Sequence, residues 1–495
     1  MQKLSDDTGE IIAAFLAGAK EPAIVEPGQE PIPLTPGCYH VEGTTDRVYL
    51  EAWTRDRTLS RRITGVLAVK RGLVQLSTER FGKRAGVLEL IDLAAPKAQQ
   101  ATRKATRQTY REQFRRSLLR QFPGWRVAEL STEADLEHSL SPAYPRALLR
   151  KGTSAYAAIG CPPDAHDVDG VLTFGLIWLD YLRKRETKSP VSGLAVFVPE
   201  GRHRTTCLRL LHLRQDAADW SAFVYTDRIE DRVDIRDYGN IDTVLPQRTA
   251  SMDAERAWWT ERLSQQAFVT EREEHGGRVS WTVHGLEFAR WEPGSGLTFG
   301  IDTRHKARQS HLPEIEALAR ELARFRSAAA ADRTSPLYLK KPELWLEAQA
   351  RLCLRDIDAS LKAEPVYRQA PAFAGGDRSV MDLLAVDHAN RLVVVEVKAS
   401  EDLHLPLQAL DYWIRVRWHA QQQDFKRCGY FPGIALQSLP PRLLLVAPAL
   451  SFHPTTEALV EHLSTDVSVD TIGVAMDWRD RIKVMFRKTR SARPS

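Results

Sequence analysis

At 495 residues the chain is too long for one ordinary domain, and two to four are expected. Its 43% apolar and 27% charged residues exclude a disordered or fibrous class and fit a soluble globular protein. The formal charge of +5 is small for this size, so any nucleic-acid role must come from how the charge is distributed.

The opening MQKLSDDTGEIIAAFLAGAK carries acidic residues and lacks a charged n-region before a long apolar run, so it does not read as a signal peptide. No run of about 18 apolar residues occurs, which speaks against a membrane span. Five scattered cysteines (Cys38, Cys161, Cys207, Cys353, Cys428) form no CxxC pair. A zinc site or disulfide framework is therefore not expected, and a reducing cytoplasm fits.

Residues 1–45 are expected to be an N-terminal arm or linker, because 21–37 hold five prolines and little periodicity. Residues 46–100 alternate apolar and polar between charged turns and predict a small β-rich domain. Residues 101–250 read as an α/β domain that opens on a basic segment. In 102–126 eight basic residues (Arg103, Lys104, Arg107, Arg111, Arg115, Arg116, Arg120, Arg126) stand against Glu112 alone. On a helix, Tyr110, Phe114, Leu118 and Phe122 form an apolar stripe, while Arg107, Arg111 and Arg115 climb another face with Arg116 beside them. Such a face can track phosphates, although a solvated charged face is the bland alternative. Residues 251–334 are expected to link helices at 252–266 and 312–330 through strands, and AAAADRTSP marks the boundary to a final domain, 335–495.

That last domain reads as helix (PELWLEAQARLCLRDI), strand (VMDLLAVD), strand (RLVVVEVKAS), helix (PLQALDYWIRVRWHAQQQ) and strand (PRLLLVAP). Leu344, Ala348 and Leu352 are expected to share one face of the first helix. Asp382 opens one strand, and Glu396 and Lys398, two apart on the next, share one face. A turn at 387–390 would bring the two carboxylates to neighbouring strand positions. Two carboxylates and the Val397 carbonyl offer hard oxygens to Mg²⁺, and a lysine beside them can orient a water or steady charge on phosphorus. Gln408 and Tyr412, four apart, share a face of the following helix. Arg415 and Arg417, with Trp413 and Trp418, continue it as a DNA-facing stripe or an ordinary amphipathic face. His404 reads as a polar loop residue with a phosphate contact as the sharper alternative.

GDRSVMDLL, LVVVEVKAS and LQALDYW together resemble the catalytic core of PD-(D/E)xK nucleases that carry a QxxxY motif, such as the RecB-type nucleases and the C-terminal domain of NucS-type endonucleases. The match spans about residues 340–450. One departure is that methionine, not proline, precedes Asp382. The resemblance implies a restriction-endonuclease-like core, a mixed central sheet flanked by helices, within an overall α/β (α+β) chain. It implies Mg²⁺ or Mn²⁺ on Asp382, Glu396 and a first-helix glutamate, with Lys398 assisting a water and Gln408 and Tyr412 holding the site against the nucleic-acid backbone. PELWLE offers Glu343 and Glu347, with Glu343 slightly favoured.

SAYAAIG, VLTFGLIWLDYLRKR and GLAVFVPEG repeat the order strand, helix, strand seen around the candidate site, down to a shared Leu-Asp-Tyr triplet at 179–181 and 410–412. This is consistent with a degenerate, catalytically dead nuclease-like copy, and generic α/β patterning explains the same facts. The expected function is a metal-dependent deoxyribonuclease, endo or exo, with N-terminal domains that bind or target the nucleic acid in a repair or defence role. The alternatives are an inactive nucleic-acid-binding scaffold and an RNA-directed nuclease, because the site reads phosphate rather than the 2′-OH. A homodimer is compatible with the sequence, and no Walker A loop is present.

Overall fold

A computed structural model describes every residue except 1–4, 27–30, 45–46, 54–57, 71, 81–83, 95–109, 163–164, 166, 227–229, 237–240, 242, 248–253, 274–276, 369–381 and 491–495. Helices and strands are mixed throughout, as expected of an α/β or α+β chain, and among the described residues no helix is long and apolar enough to cross a membrane.

The first unit contradicts the expectation of an N-terminal arm. Helix α1 (Ser5–Gly18) and strands β1 (Pro22–Val25), β2 (Ile32–Pro33), β3 (Tyr39–Thr44), β4 (Arg47–Trp53), β5 (Thr58–Lys70), β6 (Leu73–Arg80) and β7 (Arg84–Asp92) form one antiparallel sheet, ordered β2-β1-β7-β6-β5-β4-β3. The proline-rich segment enters this sheet because Pro22 begins its strand and Pro33 lies on the edge, where no ladder N–H is needed. Ile12 of α1 and Ile24 of β1 lie in the same core as Leu50, Leu76, Leu88 and Leu90, so the unit starts well before residue 46.

The second unit comprises helix α2 (110–121), β8 (Arg126–Ser131), β9 (Arg146–Lys151), β10 (Ser154–Gly160), α3 (Val171–Arg185), β11 (Val191–Pro199), α4 (Arg204–Leu211), β12 (Asp219–Tyr225) and β13 (Glu230–Val233). The expected stripe of α2 is the buried one: Tyr110, Phe114 and Leu118 lie against Phe197 and Phe223, with Phe122 at the margin. The third unit is α5 (Ala254–Leu263), an antiparallel sheet of β14 (Val269–Glu273), β15 (Val279–Val283), β16 (Leu286–Glu292), β17 (Gly296–Phe299) and β18 (His305–Lys306), and then α6 (Leu312–Phe325).

The fourth unit holds α7 (Pro336–Leu339), α8 (Pro342–Leu352), α9 (Leu354–Ile357), β19 (Tyr367–Arg368), β20 (Leu383–Val386), β21 (Leu392–Val397), α10 (Leu405–Gln421), α11 (Asp424–Arg427), β22 (Arg442–Pro448), α12 (Thr456–Glu461), β23 (Ser468–Val474) and β24 (Val484–Arg490). Strand β21 is third of six and buried along its whole length, as its valine run requires. The core face of α8 differs from the expected one. Pro342, Trp345, Leu346 and Ala350 are buried while Leu352 is 71% exposed, because the indole of Trp345 carries the larger apolar area and turns the helix toward it.

The second and fourth units share one topology. In β8-β9-β10-β11-β12-β13 and in β19-β20-β21-β22-β23-β24 the successive pairings are antiparallel, antiparallel, parallel, parallel and antiparallel. The crossover of the first parallel pair carries α3 in one unit and α10 in the other, and the crossover of the second carries α4 and α12. These four helices lie between the sheets and bury a single apolar core drawn from both.

The third and fourth units meet at the β15–β16 turn, where His284 and Gly285 both have positive φ. A Cβ on Gly285 would lie 2.0 Å from the Leu344 carbonyl oxygen of α8. Gly285→Ala is therefore expected to destabilise the chain by about 3 kcal/mol, through both the clash and the φ. Chemical denaturation measures this, and a change under half a kilocalorie would show that the turn can slide away from α8.

Candidate metal and catalytic site

The hairpin β20–β21 builds the site. Its register pairs Leu383 with Val395, so one step further Asp382 stands opposite Glu396. The Val397 amide donates to Asp382 Oδ2 at 2.7 Å, which fixes this carboxylate beside the second strand. Glu396 ends the run Leu392-Val393-Val394-Val395 and is almost wholly buried, and its Oε2 has no hydrogen-bond partner among the described residues. Lys398 follows β21, with its amide donating to Val446 O, and its Nζ lies 3.7 Å from Glu396 Oε1. The three residues chosen from the sequence are thus brought together.

Asp402 is the member that sequence reading missed. Its Oδ2 lies 3.6 Å from Lys398 Nζ, and its Oδ1 accepts the His404 amide at 2.8 Å. The only signal was an i,i+4 spacing from Lys398 in a polar loop, which carries little weight where no helix is expected.

Burial pushes the Glu396 carboxyl up to about 8, with Glu343 and Asp402 adding to the rise and Lys398 opposing it. Burial and then the Glu396 carboxylate hold Asp382 well above the usual carboxylate range. Burial opposes the charge on Lys398, but Glu343, Asp402, Glu396 and Asp382 outweigh it and hold the ammonium well above its ordinary value. Burial and Glu396 raise the Tyr412 phenol in the same way. Among the described residues, Lys398 therefore stands against four carboxylates, those of Glu343, Asp382, Glu396 and Asp402.

The two helix glutamates have separate duties. Both oxygens of Glu347 accept from the Arg368 guanidinium, at 2.5 and 2.6 Å, in a buried pair. Glu343 is half-buried, and its charge is the largest favourable influence on Lys398. Glu347→Gln is expected to destabilise the fold by about 3 kcal/mol by stranding Arg368, and Glu343→Gln to leave stability within about 0.5 kcal/mol. Paired urea melts check this, and the reverse ranking would exchange the roles. Tyr412 is buried in the shared core, and Gln408 is half-buried one turn before it.

The predicted nucleic-acid residues divide. Arg107 lies outside the described residues. Arg115 and Arg116 are exposed on α2, and Arg116 also donates to Glu112 O. Arg111 donates to Leu130 O, and Arg120 is paired with Glu230. Arg415 does not belong to an outward stripe. It is only half-exposed and donates to Asp411 O, and Trp413 beside it is fully buried, because this face of α10 turns toward the second unit. His404 likewise faces the second unit, with Nδ1 3.0 Å from Thr173 Oγ1.

Among the described residues no three or more His, Cys, Asp or Glu side chains are already gathered as ion ligands. The donor set still suits a hard cation. Asp382 and Glu396 are adjacent carboxylates, one buried oxygen lacks a donor, and Mg²⁺ needs only one or two protein carboxylates because it keeps several waters. Compared with models of known families, with curated proteins and with solved structures, the chain matches none of them.

Proposed function

We propose that the fourth unit is a restriction-endonuclease-like core of the PD-(D/E)xK type and that the protein hydrolyses phosphodiester bonds of DNA with Mg²⁺ or Mn²⁺. The observation that carries the reading is Glu396: a buried carboxylate, one oxygen without a donor among the described residues, opposite Asp382 and 3.7 Å from an ammonium. A buried carboxylate in such surroundings is unfavourable unless a cation joins it, so this arrangement is better explained by chemistry than by stability.

Asp382 and Glu396 would hold the ion, with the Val397 carbonyl and Glu343 as further oxygens. When bound, the ion would lower the pKa of a water and offset charge on the phosphate. Asp382 is held in its orientation by the Val397 amide, so it needs little reorganisation. Lys398, kept charged by the surrounding carboxylates, can donate to a phosphate oxygen or fix the attacking water. Asp402, 3.6 Å from the ammonium, steadies Lys398. Tyr412 and Gln408 line the helix above the strand and can limit solvent access. The water adds to phosphorus as the bond to one sugar oxygen breaks, leaving a phosphomonoester and a hydroxyl.

The exposed Arg115 and Arg116 of α2 support backbone binding that is independent of the chemistry. Arg115→Gln with Arg116→Gln should lower the slope of log affinity against log salt by about 2. Fluorescence anisotropy with duplex DNA in a salt series measures it, and an unchanged slope would remove α2 from the binding surface. RNA remains the second substrate to test, since the chemistry proposed for Asp382, Glu396 and Lys398 addresses phosphate rather than the sugar. The reading is tested with purified protein, duplex and single-stranded DNA, RNA and Mg²⁺ or Mn²⁺: cleavage of DNA supports it, cleavage of RNA alone redirects it, and cleavage without a divalent ion overturns it.

A further inference from the structure

The second and fourth units are related by more than shared topology: their contacts are reciprocal. Leu213 and Leu463 each lie two residues beyond the end of their helix, α4 and α12, and they form an antiparallel bridge with each other. Across it the Arg214 amide donates to His462 O at 2.9 Å and the Ser464 amide to His212 O at 2.7 Å. The aspartates of the two Leu-Asp-Tyr triplets also reach across, each to a different kind of partner. Asp180 Oδ1 lies 2.9 Å from His462 Nε2, just past α12, and Asp411 accepts from Arg209 of α4 at 2.8 and 2.9 Å. Helix α3 packs on α12 as α10 packs on α4. Each unit thus offers the other the same surface, which is what a two-fold axis demands.

The same alignment matches the site positions. The Cys161 amide donates to Phe197 O as the Lys398 amide donates to Val446 O, so Cys161 corresponds to Lys398 and Ile159 to Glu396. The pairing of Ile159 with Arg146 then sets Arg146 where Asp382 stands. Neither carboxylate nor the lysine has a counterpart. Ile159 and Cys161 are buried in the shared core, and Arg146 brings a cation to the position of an anion.

Resting on the nuclease reading above, we propose that the chain is a pseudo-dimer with a single working half and cuts one strand of a duplex per binding event. The strands of a duplex are antiparallel and related by local two-fold axes, so a two-fold protein presents equivalent positions to both. Here only one position carries the chemistry. The face that would seat a second working unit is already filled by the inactive one, through the shared core. Each event therefore adds one water across one P–O bond, and the opposite strand stays intact.

The test uses the full chain, supercoiled plasmid and Mg²⁺ or Mn²⁺ under limiting enzyme. Nicked circles should accumulate first, at a rate linear in enzyme, with linear DNA arising later from independent second nicks. Linear DNA formed as fast as nicked circles, with a rate rising as the square of enzyme concentration, overturns the single-strand inference and leaves the nuclease reading standing. No cleavage of either DNA or RNA overturns the nuclease reading itself, and this inference with it. Arg146→Met should keep the nicking rate within about two-fold, and a ten-fold loss in a folded variant would give the second unit a chemical part and overturn the proposal.

Discussion

Replacing Glu396 with glutamine is expected to lower cleavage by about 10³-fold or more while making the ion-free protein more stable at pH 8, where the buried group begins to ionise. The two effects share one cause. The carboxyl sits almost wholly buried, one oxygen lacks a hydrogen-bond partner among the described residues, and the charges acting on it include Glu343 and Asp402 as well as Lys398. An amide of the same shape removes the buried charge and with it the ion's anchor. The pH dependence has a definite sign. Burial first, and then neighbouring carboxylates, raise the folded value to about 8 from an ordinary 4.5. A raised group contributes fully below its unfolded pKa, and that contribution is lost as pH rises through the folded one. The ion-free wild type should thus lose about 2–4 kcal/mol between roughly pH 4.5 and 8, and Glu396→Gln should lose much less. Thermal melts in chelator at pH 5 and 8 read this directly. A variant that is less stable than wild type at pH 8 would show that Glu396 is a structural residue, and the chemical reading would lose its main support.

The largest effect on the fold is expected at Arg326. Its guanidinium is fully buried and donates to three carbonyls: Leu337 O at 2.7 Å, Lys340 O at 2.6 Å and His284 O at 3.0 Å. It also lies 4.6 Å from the Trp345 ring centroid, and burial, with Arg479 nearby, pulls it down to about 9. One side chain thereby ties the turn of the third unit to the start of the fourth. Arg326→Met should destabilise the chain by about 4 kcal/mol, since three carbonyls lose a charged donor, while the exposed Arg324→Met should change it by less than about 0.5 kcal/mol. Equal effects of the two substitutions in urea unfolding would refute this.

The elements that sequence made legible are those whose pattern is dictated by local physics. The hairpin around residues 387–390, the valine strand and the helix at 405–421 all follow from apolar periodicity and turn chemistry. Glu396 and Lys398 could be set on one face by their spacing of two, and Asp382 opposite Glu396 by the turn between them. What sequence could not supply was long-range partnering. Arg368 takes Glu347, which separates it from Glu343, and nothing near either glutamate announces that pairing. Arg415 and Trp413 look like an outward stripe until a second unit covers them. Prolines 22 and 33 suggested a linker because a proline at a strand start or edge leaves no distinct local mark. The repeated Leu-Asp-Tyr triplet was visible as letters, but only the reciprocal contacts of Asp180 and Asp411 give it a physical meaning.

The most direct test of the central claim is the rate at which purified protein cleaves duplex DNA in Mg²⁺ or Mn²⁺, measured beside Asp382→Ala and Lys398→Ala under identical conditions. Divalent-dependent cleavage by the wild type that falls by about 10³-fold in both variants is the expected result. Cleavage that persists in both folded variants, or a wild type that cleaves no nucleic acid with either ion, would contradict it.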